Sequence, residues 1–197
     1  MHAAPSKLTP ADLYTLEAYA RERAQFRAKV LAHKKTRTVH LGEHLTLVFE
    51  DRLTVQYQVQ EMLRIERIFE PAGIQDELDA YNPLIPDGRN LKATMLVEFE
   101  DPAQRKRELA RLRGIEHHVS LTVAGHAPVI AVADEDLERS NEEKTSAVHF
   151  LRFELGDAMV AALRAGAALT LAVDHPGYAA RTALPEATRR ALLADLA

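Results

Sequence analysis

The sequence has no cysteine and no tryptophan, and only 6% of its 197 residues are aromatic. The lack of cysteine excludes disulfides, thiolate metal sites and a cysteine nucleophile, and it fits a reducing compartment. We therefore expect a cytoplasmic protein, and the Ala, Arg and Leu content is typical of bacteria with GC-rich genomes. Hydrophobic residues make up 47% of the chain, which is enough for a core that needs no disulfide or structural metal.

Long apolar runs are also missing. The N-terminal segment Met1–Pro10 lacks the hydrophobic region of a secretion signal. The longest nearly apolar run, Ala158–Ala172, is interrupted by Arg164 and Gly166 and is too short to cross a bilayer. We therefore expect neither a secretion signal nor a membrane partner.

The common motifs of catalysis and nucleotide binding are absent as well. The sequence has no G-x-G-x-x-G, no G-x-x-x-x-G-K-[ST], no G-x-S-x-G and no H-E-x-x-H. The predicted helices also lack the Glu-x-x-His pairs of di-iron bundles. The sequence therefore assigns no cofactor and no metal.

Negative charge is concentrated in one segment. The formal net charge is −4, and the segment Asp134–Lys144 alone carries six acidic side chains against two basic ones. We expect this segment to be a solvated loop or a lid over a site. Basic stretches occur at Arg21–Arg37 and Arg105–Arg113, but the acidic balance and the scarcity of aromatic residues argue against nucleic-acid binding.

Periodicity and cap signals predict helices and strands without the uniform βα repeat of a doubly wound sheet. The predicted helices are Thr9-Pro10 to about His33, Thr54–Phe69, Ile74–Tyr81, Asp101-Pro102 to about Arg113, Asp157–Ala165 and a last one from Pro185. The predicted strands are Arg37–Leu41, His44–Glu50, Lys92–Glu100, Val119–Val123, Pro128–Ala133, Ala147–Leu155, Ala167–Val173 and, as a candidate, Ala179–Leu184.

These elements predict a single α+β domain over residues 1–197. In it a mixed or antiparallel sheet packs with two long N-terminal helices and shorter C-terminal helices. Gly42-Glu43 is predicted to form a type II′ hairpin turn. The segment Tyr81–Pro86 is predicted to be an ordered structural turn.

Both long helices place charged residues within their apolar stripes. In the first helix Arg23 lies in the middle of the apolar face, with Arg27 beside it. In the second helix Glu66 lies near the centre of a stripe that ends at Phe69, and Glu61 lies on the far side. Because an unpaired buried charge is costly, we expect an arginine and a glutamate of these helices to pair. Such a pair is either a structural ion pair or part of a polar ligand pocket.

His149 is the third unusual polar residue, because strand alternation places it on the same face as Leu151 and Phe153. We expect it to be buried, either as a hydrogen-bonded core residue or as a ligand or proton-transfer group. Its expected carboxylate partners are Glu50, Glu61 and Glu66.

The run Phe49–Arg67 resembles the signature of an uncharacterised bacterial family of unknown function. Further matching segments are Arg23–Arg27, Tyr81–Pro86 and Ala147–Phe153, and the resemblance extends from about Leu8 to Leu193. Members of such a family tend to be encoded near rubrerythrin-like and iron–sulfur oxidoreductase genes. The resemblance therefore implies a place in iron or peroxide handling, and it implies no catalytic residues.

The leading hypothesis is an accessory or ligand-binding protein of a redox or iron-related pathway, with a redox or iron-handling protein as a partner. Its predicted ligand-binding residues are Arg23, Arg27, Glu61 and Glu66, with Glu50 and His149 as outer candidates. One alternative is an enzyme in which a glutamate is the general base and arginines hold an anionic substrate. The other is an interaction module that docks an acidic partner on its basic first helix.

Overall fold

A computed structural model describes residues 5–141 and 143–197, in which helices combine with two antiparallel sheets. The helices are α1 (Leu16–Lys34), α2 (Arg52–Glu66), α3 (Pro71–Tyr81), α4 (Pro102–Arg111), α5 (Asp157–Arg164) and α6 (Glu186–Leu193). The strands are β1 (Thr38–Leu41), β2 (Leu45–Glu50), β3 (Asn90–Val97), β4 (Val119–Val123), β5 (Val129–Ile130), β6 (Val132–Ala133), β7 (Val148–Glu154), β8 (Leu169–His175) and β9 (Tyr178–Ala183). The predicted α+β class is confirmed.

Parts of two sequence predictions lie outside the described residues. These are the first four residues of the segment Met1–Pro10, and Glu142 of the acidic segment. Within the part that is described, no helix is both long and apolar enough to cross a membrane.

The two sheets enclose one apolar core. The first sheet has the strand order β1-β2-β3-β7-β6, and the second has the order β5-β4-β8-β9. Because side chains of a strand alternate between faces, His149, Leu151 and Phe153 of β7 are buried on the inner face of the first sheet. Leucines and valines of β4 and β8 belong to the same core cluster. We call the opposite side of the first sheet its outer face.

Helices α1, α2 and α3 form a separate layer beside the outer face. Val55, Val59 and Leu63 of α2 are buried in a second cluster with Leu78 of α3. Tyr19, Phe26 and Val30 of α1 form a third cluster, against which Leu53 and Tyr57 of α2 pack. The helical layer thus has its own apolar contacts and does not need to seal the sheet completely.

Several predicted boundaries are wrong, for local reasons. The first helix begins at Leu16, because Thr15 caps it and Pro10–Asp12 forms a separate 3₁₀ turn. The second helix ends at Glu66, because Arg67 adopts a left-handed conformation with φ 55°. Phe69, predicted to complete its apolar stripe, is therefore outside the helix and 68% exposed.

The β1–β2 hairpin also differs from its predicted form. Leu41 pairs with Leu45, so the loop has three residues and is not a two-residue type II′ turn. Gly42 has a φ of 74°, and a Cβ at this position would lie 2.2 Å from the Tyr178 hydroxyl oxygen. A side chain there would be strained by the backbone and would collide with β9.

Candidate functional site

A groove lies between the outer face of the first sheet and the helical layer. It consists of two cavities of about 320 Å³ and about 310 Å³, and both are lined by Tyr81, Leu84 and Phe150. Cavities of this size with mainly apolar walls and a few polar groups are typical of small-molecule sites. We call the two cavities together the outer groove.

The floor of the outer groove is built by strand pairing. Alternation brings Val48, Glu50, Lys92, Thr94, Leu96, Val148, Phe150 and Arg152 to the outer face. The antiparallel register places Glu50, Lys92 and Arg152 in one row across β2, β3 and β7. A second row contains Thr94 and Phe150. One row therefore supplies charge, and the next supplies an aromatic surface.

The cavity at the Lys92 end contains more cationic than acidic side chains. Arg152 makes two hydrogen bonds to Glu135, at 2.8 and 2.9 Å, and Arg139 makes two to Asp136, at 2.6 and 2.7 Å. Each guanidinium lowers the pKa of its carboxylate partner. Arg152 and Arg139 also pair with Glu154 and Asp134, which do not line the cavity. Among the described side chains that line the cavity, Lys92 is the cation without a paired carboxylate.

Lys92 has no carboxylate within ion-pair distance in the described part of the chain. Its ammonium donates a hydrogen bond to the carbonyl oxygen of Pro83. Burial lowers the pKa of Lys92, and Asp87, Glu135 and Glu154, none of them within ion-pair distance, offset that burial only in part. Sequence analysis missed this residue. Strand alternation could have shown that Lys92 points away from the core. Its position beside Arg152 could not be predicted, because the sequence does not show which strands pair.

The predicted structural turn Tyr81–Pro86 forms one wall of the groove. The amide of Asn82 accepts a hydrogen bond from the backbone N–H of Leu8 at 2.8 Å and donates to the Leu8 carbonyl at 2.9 Å. The ammonium of Lys7 donates to the carbonyls of Asn82 and Ile85 at 3.0 and 2.7 Å. These contacts hold the wall in place behind Tyr81, Pro83 and Leu84.

Glu50 is the predicted ligand residue that lines the outer groove. Its carboxylate accepts hydrogen bonds from the hydroxyls of Thr54 at 2.5 Å and Thr94 at 2.7 Å. Lys34 lines the same cavity. Glu50 thus contributes a fixed, already bonded carboxylate to the second cavity, although strand pairing makes it the direct neighbour of Lys92 in the row.

Arg23 and Glu61 form the expected ion pair between the two long helices. Two hydrogen bonds of 2.7 and 2.9 Å join the guanidinium to the carboxylate, and the Tyr19 hydroxyl donates to the same carboxylate at 2.7 Å. Arg23 is the main reason that the pKa of Glu61 falls to about 2. The pair borders the aromatic cluster of α1 and does not line the outer groove.

Arg27 and Glu66 do not join that pair. Both are exposed, and neither makes an ion pair with another described residue. The expected burial of Glu66 was wrong because the helix ends at this residue, so the stripe that would have enclosed it does not continue. The structure therefore separates Arg27 and Glu66 from the other predicted site residues.

His149 is buried, as predicted, but its carboxylate neighbours were not predicted. Its Nδ1 lies 2.6 Å from Oδ2 of Asp134, and its Nε2 lies 2.8 Å from the Thr145 hydroxyl and 3.8 Å from Oε2 of Glu116. The expected partners Glu50, Glu61 and Glu66 lie elsewhere. Asp134 begins the acidic segment and Thr145 follows its last residue, so the segment is anchored at both ends while Glu135–Glu138 between them are exposed.

Glu116 lies in the same buried cluster. Ser140 and Thr145 both donate hydrogen bonds to its carboxylate. Burial raises the pKa of Glu116, but the bonds from Ser140 and Thr145 and the nearby His149 outweigh burial, so the net shift is downward. We call Glu116, Asp134 and His149 the histidine cluster.

The histidine cluster contains donor atoms that suit a metal ion. One ring nitrogen and one oxygen from each carboxylate lie within 4.8 Å of one another. The two carboxylates approach opposite nitrogens of the ring, so a single ion can bond to one nitrogen only. An ion on Nε2 would contact Glu116, while Asp134 would orient the ring through Nδ1.

A further buried charge cluster was missed entirely. Arg37 is 1% exposed, and it donates to the carbonyls of Phe49 and Ala191, both at 3.1 Å. It also pairs with Asp195 and, at 3.3 Å, with Asp51. Burial raises the pKa of Asp195 to about 7. The cluster ties the C-terminal segment to β2 and lines neither cavity of the outer groove.

Comparisons with known proteins agree on fold and family. A family model described as a protein of unknown function (DUF3501) matches residues 7–196. A crystal structure of a novel protein of unknown function from Burkholderia pseudomallei is 56% identical, with a TM-score of 0.93. That match covers 98% of this chain and 100% of the other. No curated protein matches the sequence.

Proposed function

This chain belongs to the DUF3501 family of proteins of unknown function, and we propose that it is a small-molecule-binding protein whose ligand occupies the outer groove. The observation that carries the proposal is the pair of cavities that share Tyr81, Leu84 and Phe150. Together they offer adjoining, mainly apolar walls with fixed polar groups, of which Lys92 lines one cavity and Glu50 the other. This is the arrangement that small-molecule sites use for affinity and orientation.

Apolar surface inside the groove supports this proposal. Phe150 and Leu96 point away from the core and stay partly exposed, whereas their neighbours on the inner face are buried. Covering such surface is favourable by about 25 cal/mol per Å². A ligand with an apolar body would gain this free energy without any change in the fold.

Binding is better supported than catalysis by the glutamates. Glu61 is held by Arg23, its pKa is about 2, and it therefore makes a poor general base. Glu50 already accepts two hydrogen bonds from threonines. We therefore rank two alternatives below ligand binding. These are the enzyme with a glutamate base and the docking module that uses the basic face of α1.

A redox or iron-related role, together with an iron-handling partner, is a second proposal. The histidine cluster supports it, because an imidazole nitrogen and the Glu116 carboxylate are donors that suit iron or a similar ion, with Asp134 as the group that would orient the ring. The test is metal analysis by native mass spectrometry of protein purified without a histidine tag. One equivalent of metal that disappears in Glu116→Gln would support this role, and metal-free wild-type protein would contradict it.

The groove is tested by titration with the neutral fluorescent probe 1-anilinonaphthalene. We expect saturable binding to the folded protein and at least about a tenfold loss of affinity in Phe150→Ala, because Phe150 lines both cavities. The matched control is Phe69→Ala, which removes the same side chain from an exposed site on the helical layer. Equal affinity in all three proteins would contradict a ligand site in the outer groove.

A further inference from the structure

We infer that the ligand of the outer groove is an amphipathic anion, with an apolar body along Tyr81 and Phe150 and one acidic group bound by the Lys92 ammonium. The acidic group is a carboxylate, sulfonate or phosphate. The inference rests on the proposed function and adds the chemical class of the ligand to it.

The position of Lys92 favours this role. It lies on the central strand β3, in the row between Glu50 and Arg152, and it lines the same cavity as the aromatic wall. Its Nζ has the Pro83 carbonyl as its hydrogen-bond partner within the described residues. An ammonium has three N–H donors, so two remain for a ligand.

The arginines of the same cavity are not equivalent to Lys92. Arg139 and Arg152 each bind a carboxylate through two hydrogen bonds, so an incoming anion would have to displace a carboxylate. Lys92 requires no such displacement. Asp87, Glu135 and Glu154 act on it only at longer range.

Burial explains why an anion would gain free energy at this position. Taking an ammonium partly out of water penalises its charged form, and a close anion offsets that penalty. The lowered pKa of Lys92 has this cause. Arg152 adds positive potential at the same point, and Asp87, Glu135 and Glu154 oppose it from longer range, so the direct contact between an anion and the Lys92 ammonium is what the inference depends on.

The apolar half of the ligand follows from the walls. Tyr81, Leu84 and Phe150 extend from the Lys92 cavity into the second cavity, which continues toward Glu50 and Lys34. A small inorganic anion would leave this surface uncovered. A molecule with an apolar body attached to its acidic group would contact both the apolar walls and the Lys92 ammonium.

Two probes with the same aromatic body separate charge from apolar contact. These are neutral 1-anilinonaphthalene and its sulfonate, 8-anilinonaphthalene-1-sulfonate. In wild type we expect the sulfonate to bind about tenfold or more tightly, as a hydrogen bond to a charged group provides. In Lys92→Gln this advantage should disappear while the neutral probe binds unchanged. Lys92→Arg should keep most of it.

The control is Lys106→Gln, which removes an exposed positive charge of α4 outside both cavities. It should leave the sulfonate advantage unchanged. If the neutral probe binds in the groove but the sulfonate binds no better, the anion inference is overturned and the proposed function stands. If neither probe binds, both fail. Unchanged binding of the neutral probe to Lys92→Gln also shows that the variant is folded.

Discussion

The two faces of β7 carry polar groups in opposite situations. On the inner face His149 is fully buried, and both of its ring nitrogens lie within hydrogen-bond distance of partners. On the outer face Arg152 of β7 is bound to Glu135. Its neighbour across the sheet, Lys92 of β3, has no carboxylate partner in the described chain. The same sheet thus separates a closed polar cluster from an open one.

This difference shows where stability and binding are expected to reside. A polar group in a closed core must be paired, because nothing else can solvate it. Among the described residues, every buried side-chain nitrogen and oxygen has a hydrogen-bond partner. Lys92, which has no ion-pair partner among the described residues, and the uncovered apolar surface lie together on the outer face, where a ligand can reach them.

The largest expected effect is that of His149→Ala on the inner face. The substitution leaves Asp134 and Glu116 as buried carboxylates without the ring between them, and we expect a loss of about 3–5 kcal/mol in the free energy of unfolding. Urea unfolding measures it. Phe150→Ala, one residue along the same strand, should cost distinctly less because its ring is only partly buried. A His149→Ala loss smaller than that of Phe150→Ala would reverse the contrast between the two faces.

The Arg37 cluster predicts a pH effect of intermediate size. Burial, and then the nearby Asp51, raise the pKa of Asp195 from 3.8 to about 7, against the pull of Arg37. The folded protein then binds a proton that the unfolded chain has already lost, so stability is greatest below the unfolded pKa and falls as pH rises through about 7.

From about pH 5 to about pH 8 we expect a loss of about 2–3 kcal/mol from this group. Urea unfolding across that range measures the slope. Asp195→Asn should flatten it, because the amide cannot ionise. The control Asp174→Asn changes an exposed carboxylate and should keep it. A wild-type slope identical to that of Asp195→Asn would show that Asp195 is ionised throughout.

The smallest expected effects are in the helical layer. Glu61→Ala breaks a partly exposed pair with Arg23 and removes the partner of Tyr19, and we expect a loss of about 1–2 kcal/mol. Glu66→Ala, on the exposed end of the same helix, should change stability by less than about 0.5 kcal/mol. Thermal unfolding of the two variants compares them. A larger loss in Glu66→Ala would mean that this glutamate is buried after all.

The local periodicity of the sequence was sufficient to predict several features of the fold and of the candidate sites. Strand alternation placed His149 inward with Leu151 and Phe153, because successive side chains must point to opposite faces. Helical spacing placed Arg23 on the apolar face of the first helix, where it pairs with a glutamate of the second helix as expected, although the partner is Glu61 and not the more central Glu66. The α+β class followed from the order of these patterns. These features depend on covalent geometry and on short stretches of chain.

Periodicity shows which side of an element faces a core, but not which distant segment covers it. The pairing of Arg37 with Asp195 joins residues 158 positions apart. The contact between His149 and the acidic segment, and the row that contains Lys92, depend on which strands become neighbours. The predicted burial of Glu66 was wrong for a more local reason. The left-handed conformation of Arg67 ends the helix, so the stripe that was expected to bury Glu66 does not continue. The helical layer packs on its own apolar clusters and leaves the sheet partly uncovered, and that gap produces the outer groove.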